Sequence, residues 1–367
     1  MDRKIKVGIL FGGKSAEHEV SLQSAKNVFD ALDREKYTPI LMGIDKSGRW
    51  LLEEASEFLL NPEDPQRISL NPAGDSVALI PQSSGVIANA NTLKQAQCID
   101  VIFPILHGPF GEDGTVQGLL KLADIPFVGA GVLGSAIGMD KDVMKRLLRE
   151  AGIPIGGFRV LFAHEPVPDF AELQEALGLP LFVKPANMGS SVGVSKVHDE
   201  TSLKRALETA FIYDRKVIIE EYIQGRELEC AVLGNEEPLA SVPGEVISSH
   251  EFYSYAAKYI DEKGAVLAIP AAIPAHTVQA IQSLAVKTFK TLAGEGLSRV
   301  DFFLKADGSI LVNEINTMPG FTKISMYPKL WEASGISYTA LIDRLIELAL
   351  RRFAQEKKLK TTYSPGA

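Results

Sequence analysis

The stretch Leu297-Ser-Arg-Val-Asp-Phe-Phe-Leu-Lys-Ala-Asp-Gly-Ser-Ile-Leu-Val-Asn-Glu-Ile-Asn-Thr-Met-Pro-Gly320 decides how the chain is read. Two apolar-rich runs flank Asp307-Gly308, a dipeptide that accepts the backbone angles of a tight hairpin turn. Pairing symmetrically about that turn sets Asp301 opposite Glu314 and Arg299 opposite Asn316. Two carboxylates then face each other across the ribbon. Like charges so placed destabilise by up to about 1 kcal/mol, so the arrangement asks for a cation between them. Asp301, Glu314 and Asn316 offer oxygen ligands only, the donor set of a hard ion such as Mg²⁺ shared with nucleotide phosphates. The alternative is a solvated acidic sheet face, which fits the apolar flanks Phe302, Phe303, Ile310 and Val312 poorly.

Working outward, the same third of the chain carries strands at Leu228 to Leu233 and helices at about Thr277 to Leu292 and Tyr338 to Phe353. Upstream, a helix from Asp140 to Glu150 stops at Gly152 before Pro154. The strand Leu181 to Lys184 and the helix Ser202 to Phe211 follow it. At the amino end, Ile5 to Phe11 reads as a strand, Gly12-Gly13 as a turn and Val20 to Leu32 as a helix. The unit recurs from Val101 to Val128, and strands alternating with helices imply a parallel sheet. The expected fold is therefore α/β (α+β mixed) in three domains, 1–129, 130–222 and 223–367. The first contains an insertion, about 46–96, rich in Pro, Asn and Ser, to which no chemistry is assigned.

Composition removes several classes of function. The 367 residues are 46% hydrophobic and 23% charged, an ordinary globular balance. Thirty-eight basic against 46 acidic residues leave a net charge of −8, the wrong sign for a nucleic-acid protein. Cys98 and Cys230 lie far apart with no metal spacing, so neither disulfides nor zinc are expected and a reducing cytoplasm fits. No apolar run approaches the roughly 20 residues of a membrane span, and no signal core precedes the first strand.

Further motifs point to a nucleotide. Gly8 to Ser15 satisfies G-x-x-x-x-G-K-[ST], yet Gly8 lies inside a strand and Glu17 and Glu19 would crowd a triphosphate, so the phosphate-loop reading is set aside. Glu17 and His107 instead stand at carboxyl ends of parallel strands, where open α/β sheets bind ligands. They can take an ammonium and a carboxylate; a structural histidine is the alternative. Val183 to Val197 is a strand, a loop with Gly189, Ser190, Ser191 and Gly193, and a returning strand. Its backbone N–H groups and Lys184 can hold phosphate, although glycine-rich turns are common without one. Lys141 sits in a first helical turn, where a cation opposes the dipole unless an anion binds. The aromatic segment Ser249 to Tyr259 reads as a lid, with Lys258 toward phosphate and Tyr259 toward substrate, or as loop packing. Glu220-Glu221-Tyr222-Ile223 ends a strand at a domain junction, a favoured place for a purine.

Taken in order, Ser15 to Ser21, His107-Gly108 with Gly111 to Gly114, Met139 to Lys141, Lys184 to Gly193, Tyr253 to Tyr259 and Asn313 to Gly320 resemble the D-alanine:D-alanine ligase family of the ATP-grasp superfamily. The resemblance spans nearly the whole chain. It implies ATP held by Lys141, Lys184, Glu220, Glu221, Tyr222, Ile223, Glu227, Lys258, Phe303, Asn313 and Glu314 under the Ser190-Ser191 hairpin. It implies two Mg²⁺ (or Mn²⁺) on Asp301, Glu314 and Asn316. Glu17 would hold the first D-alanine's ammonium with His107, Tyr253 and Tyr259 would line the substrate site, and Ser325 and Met326 would meet the second carboxylate. Arg299 and the Gly320 N–H would stabilise an oxyanion, and Glu17, Ser190 and Tyr259 would be linked by hydrogen bonds. The activity implied is formation of D-alanyl-D-alanine through an acyl phosphate, for peptidoglycan precursors, by a cytoplasmic homodimer with no nucleic-acid or membrane partner. A ligase with D-serine or another acceptor, or a non-catalytic nucleotide-binding regulator, are the competing readings.

Overall fold

The computed structural model describes residues 3–53, 58–62, 64, 67–248 and 265–363. Near-continuous apolar runs at Ile5–Gly12 and Val101–Ile105 become parallel strands, with Tyr37–Ile44 on the other side of Ile5–Gly12. Both faces of such strands are covered, which is why they do not alternate polar and apolar residues. Val7, Ile9 and Phe11 pack with the helices His18–Ala31 and Tyr338–Glu356 on one side. Leu10, Ile102 and Leu106 pack with Thr115–Leu122 on the other.

The 46–96 stretch is a continuation of this sheet. Trp50–Glu53, Asp75–Leu79, Val86–Asn89 and Gln95–Cys98 add antiparallel strands beyond Tyr37–Ile44, bringing the sheet to seven. Within this sheet, parallel order among the described residues is confined to the three strands named above and a bridge between Ile102 and Phe127; a second isolated parallel bridge joins Ile155 to Val312 elsewhere.

The other two large sheets are antiparallel throughout. One runs Phe158–Phe162, Lys216–Glu221, Leu181–Pro185, Ser195–Val197. Leu181 and Val183 face its core with the helix Glu200–Phe211, leaving Phe182 and Lys184 on the opposite face. The second runs Ala265–Ala268, Gly244–Ser248, Arg226–Gly234, Gly296–Leu304, Ile310–Asn316. Val300 and Phe302 pack under the helix Ala275–Thr291, while Arg299, Asp301 and Phe303 alternate onto the outer face.

The ribbon of this last sheet departs from simple symmetry. Lys305 and Ser309 close a three-residue turn with Gly308 at φ +85°, and Leu304 pairs with Ile310, one residue off the symmetric register. An irregularity after Asp301 leaves Asn313 unpaired and restores Asp301 opposite Glu314 and Arg299 opposite Asn316. The bulge thus keeps both acids on one face. Among the described residues no helix is long and apolar enough to cross a membrane.

Candidate active site

On the outer face of the last sheet, Arg299 is the hub. Its Nε and an Nη donate to the two oxygens of Asp301, each at 2.7 Å, and its Nε lies 2.8 Å from Glu229. Asn316 Nδ2 donates to Asp301 at 3.0 Å. Burial disfavours the guanidinium, but Asp301, Glu229 and Glu314 hold it charged well above its ordinary range. The facing acids are therefore balanced in this structure by protein cations, Arg299 for Asp301 and Lys141, at 3.8 Å, for Glu314. Asp301, Glu314 and the Asn316 carbonyl still gather oxygen donors on one face, a set that fits a hard divalent cation.

The middle sheet supplies a second group of charges. Lys184 lies 2.6 Å from one Glu220 oxygen and Lys145 2.7 Å from the other. Burial pushes Glu220 upward, yet Lys145 and Lys184 beside it hold it at about 2. Lys184 keeps its proton for the reciprocal reason: burial opposes the charge and Glu220 more than offsets it. Phe158 and Phe182 pair across the strands with Glu220. Tyr222 beyond them is 41% exposed, with its ring near Phe182 and under the Lys196 ammonium. Glu221 turns back to accept from Gly157 N–H at 2.6 Å, Ile223 packs against Gly156, and Glu227 is exposed opposite Phe303.

Lys141 joins these sheets. Asp140 caps its helix, Lys141–Glu150, by accepting from Val143 N–H, and is itself gripped by Lys216 at 2.7 and 2.5 Å. Held at that helix start, Lys141 donates to Met188 O at 2.6 Å and faces Glu314. Ser190 and Ser191, in the hairpin just beyond, both adopt positive φ, an uncommon conformation for side chains other than glycine that recurs at functional sites.

The amino-terminal sheet closes the third side. Gly12 and Gly13, which a phosphate loop would aim at a ligand, instead spend their N–H groups on Ser21 Oγ and Ile44 O. Glu17, at the start of the helix His18–Ala31, is buried and accepts from Ser190 Oγ of the middle hairpin. His107 is buried at the end of its strand, with Nδ1 3.0 Å from Met318 O and Nε2 without a hydrogen-bond partner among the described residues. Burial lowers its pKa despite Glu17 and the Met318 carbonyl, so the ring is neutral, with Nδ1 the donor and Nε2 an acceptor. Gly108, at φ +76°, leaves room for Glu17 and Ser15: a Cβ there would come within 3.0 Å of Glu17 Oε2 and 2.8 Å of Ser15 Oγ.

Gly320 lies beside Ser325, whose Oγ accepts from Thr322 N–H at 3.0 Å. Met326 buries its side chain in the core, so only its backbone at the start of the helix Met326–Ala333 is available to a ligand. Tyr253, Lys258 and Tyr259 lie outside the described residues. Two groups gain a role only in the structure. Lys145 reads in sequence as a solvated helix residue one turn after Lys141, and the signal that marks it is its place beside apolar Met144 and Leu148. Glu112, whose Oε1 accepts from Gly108 N–H at 2.8 Å, sits within the electrostatic reach of Glu17, Lys141 and Glu314.

Two antiparallel sheets linked by the Lys141, Lys145 and Lys184 ion pairs, beside a mixed α/β sheet that delivers Glu17 to the Ser190 hairpin and His107 to the Met318 carbonyl, define an ATP-grasp protein. The family models described as D-ala D-ala ligase N-terminus and D-ala D-ala ligase C-terminus match residues 6–130 and 147–347. The D-alanine–D-alanine ligase of Oceanobacillus iheyensis is 56% identical over 365 residues, covering 99% of this chain and all of its own. The solved D-alanine-D-alanine ligase from Coxiella burnetii matches with TM-score 0.83 at 37% identity, over 97% of this chain and 98% of that one. VanG D-Ala:D-Ser ligase from Enterococcus faecalis matches with TM-score 0.83 at 38% identity, over 95% of this chain and 100% of that one. The chain belongs to the D-alanine–D-alanine ligase family.

Proposed function

We propose that this ATP-dependent ligase joins two D-alanine molecules into D-alanyl-D-alanine, the dipeptide used for peptidoglycan precursors. The observation that carries the reading is a convergence. Lys141 faces Glu314 beside Asp301, Asn316 and Arg299, Lys184 pairs with Glu220, the Ser190 hairpin reaches Glu17, and His107 reaches the Met318 carbonyl, contacts that link three sheets and support one shared site. Glu17 and the His107 Nε2 acceptor would receive the first amino acid's ammonium, orienting its carboxylate toward the γ-phosphate. Lys141 and Lys184 would bind the phosphates, with the base between Tyr222, Ile223 and the wall formed by Glu220. Glu227, Phe303 and Asn313 line the same nucleotide face, and Glu221 supports the junction through Gly157. Asp301, Glu314 and Asn316 would hold divalent cations, two Mg²⁺ or Mn²⁺, whose contribution when bound is neutralisation of phosphoryl oxygens.

A carboxylate acylates poorly, so phosphoryl transfer to it comes first and yields an acyl phosphate. The second amino acid's free amine then attacks, with its carboxylate at Ser325 and the Met326 backbone. Arg299 and the Gly320 N–H stabilise the tetrahedral oxyanion, and inorganic phosphate leaves. Tyr253, Lys258 and Tyr259 would complete a lid that keeps water from the acyl phosphate. The three sheets correspond in this reading to domains 1–129, 130–222 and 223–367 of a cytoplasmic homodimer that takes small molecules rather than nucleic acid.

The test is phosphate release with ATP, Mg²⁺ and D-alanine, and the product's mass when D- and L-alanine carry different isotopes. D-alanine-dependent release and a doubly D-labelled dipeptide are expected. Release with D-serine, but not D-alanine, as acceptor would favour the specificity named for VanG. Glu314→Gln should lower turnover by about a hundredfold or more while melting stays within a few °C. Undiminished turnover at saturating Mg²⁺ would remove Glu314 from the metal set.

A further inference from the structure

Each oxygen of Glu220 has its own cation, and the two lysines differ in where they can go. Lys184, at 2.6 Å, keeps 18% of its side chain exposed in the cleft and is drawn also by Glu314 and Glu227 of the neighbouring sheet. Lys145, at 2.7 Å, keeps 4%. It rises from a helix whose Met144 and Leu148 lie in the apolar core, and its ammonium sits 6.0 Å above the Phe158 ring. A buried ammonium is tolerated only when paired, so Lys145 is committed to Glu220.

A polyanion in the cleft would draw Lys184 off Glu220 and cannot draw Lys145. From this division we infer that Lys145 is a positioning residue for the nucleotide, remaining as Glu220's counter-ion when Lys184 turns to phosphate and so keeping that carboxylate ionised, accepting and fixed. The inference rests on the ATP reading above. The charges bearing on Glu220 are Lys145 from the helix Lys141–Glu150 and Lys184 from the adjacent strand. Arg149 is engaged on the Phe158 ring at 5.6 Å, and Glu227 and Glu314 act on Lys184. With one lysine withdrawn and the other deleted, burial would dominate and Glu220 would take up a proton.

The test is calorimetric ATP binding without D-alanine, comparing wild type with Lys145→Gln, which keeps a hydrogen-bond donor, and Lys145→Arg, which keeps the charge. Lys145→Gln should bind about tenfold more weakly near neutral pH, with the variant-to-wild-type ratio worsening several-fold further toward about pH 5.5. Lys145→Arg should restore a constant ratio. In turnover, KM for ATP should rise while kcat stays within about threefold. A folded Lys145→Gln with wild-type affinity at every pH overturns the inference. If Lys145→Gln does not fold, the pair Glu220→Gln and Lys145→Met/Glu220→Gln decides. The neutral amide needs no counter-ion, so the double variant should bind ATP as well as the single, and a further loss overturns the inference. Failure of wild type to bind ATP would instead sink the functional reading, which keeps the two failures distinct.

Discussion

Glu112 stands where burial and a neighbouring carboxylate act in the same direction. Burial and then Glu17 push its pKa up to about 8, against the Gly108 N–H and Lys141, so it is protonated at neutral pH. Its pKa in the folded chain lies above the ordinary 4.5, so the stability it contributes is complete below that value and is lost as pH rises toward 8. Glu112→Gln mimics the neutral form. Ligand-free melting of the wild type should fall between pH 5 and 8, and the variant should show a shallower fall; equal slopes would rule out Glu112 as its source. Lys145 was not legible in sequence, and Glu112 was legible only as a member of the Gly111 to Gly114 motif, with no role attached. An acid in a glycine-rich loop and a lysine in a helix are ordinary surface residues until distant chain segments bury them. The opposition of Asp301 and Glu314 was legible because strand pairing on a short turn is a local matter.

Among the elements, the helix Lys141–Glu150 carries both a cleft lysine and a buried one, and its start is fixed twice over. Asp140 accepts from Val143 N–H at 3.1 Å, and Lys216 grips Asp140 from the start of the strand Lys216–Glu221. Asp140→Ala removes the cap, a loss of about 1–2 kcal/mol, while Lys216 retains Asp142 at 3.2 Å. Urea unfolding should show that loss, and KM for ATP should rise because Lys141 leaves its first turn. An unchanged urea midpoint would mean the cap is redundant. Most helices and the buried strands could be read from periodicity. Of the antiparallel strands of 46–96, only the strand-like piece Val77 to Ile80 could be read, and it falls on Asp75–Leu79; the others are short segments that gain strand character by pairing in series, Trp50–Glu53 onto Tyr37–Ile44 and each next strand onto the one before. The hairpin register was readable at its important end, and the Asn313 bulge that preserves it was not, since bulges depend on the twist of the whole sheet.

Across the molecule, the carboxyl-terminal helix Tyr338–Glu356 ties the amino-terminal sheet to the rest. Arg352, buried, donates to Gly129 O at 2.6 Å, Phe127 O at 2.8 Å and Glu295 at 3.0 Å, with its guanidinium 4.6 Å over the Phe127 ring. Arg352→Ala leaves two carbonyls and an acid without that donor and should cost about 3 kcal/mol, read as a drop of several °C in melting. A drop under about 1 °C would show that the helix docks by its apolar face alone. The seven-stranded sheet carries one practical implication. The hairpin tip after Val86–Asn89, where Leu93 is 81% exposed, lies four strand spacings, about 19 Å, from the strand leading to Glu17. A dye or affinity handle grafted there would stand four strands away from the chemistry, giving experimenters an attachment point expected to leave turnover undisturbed.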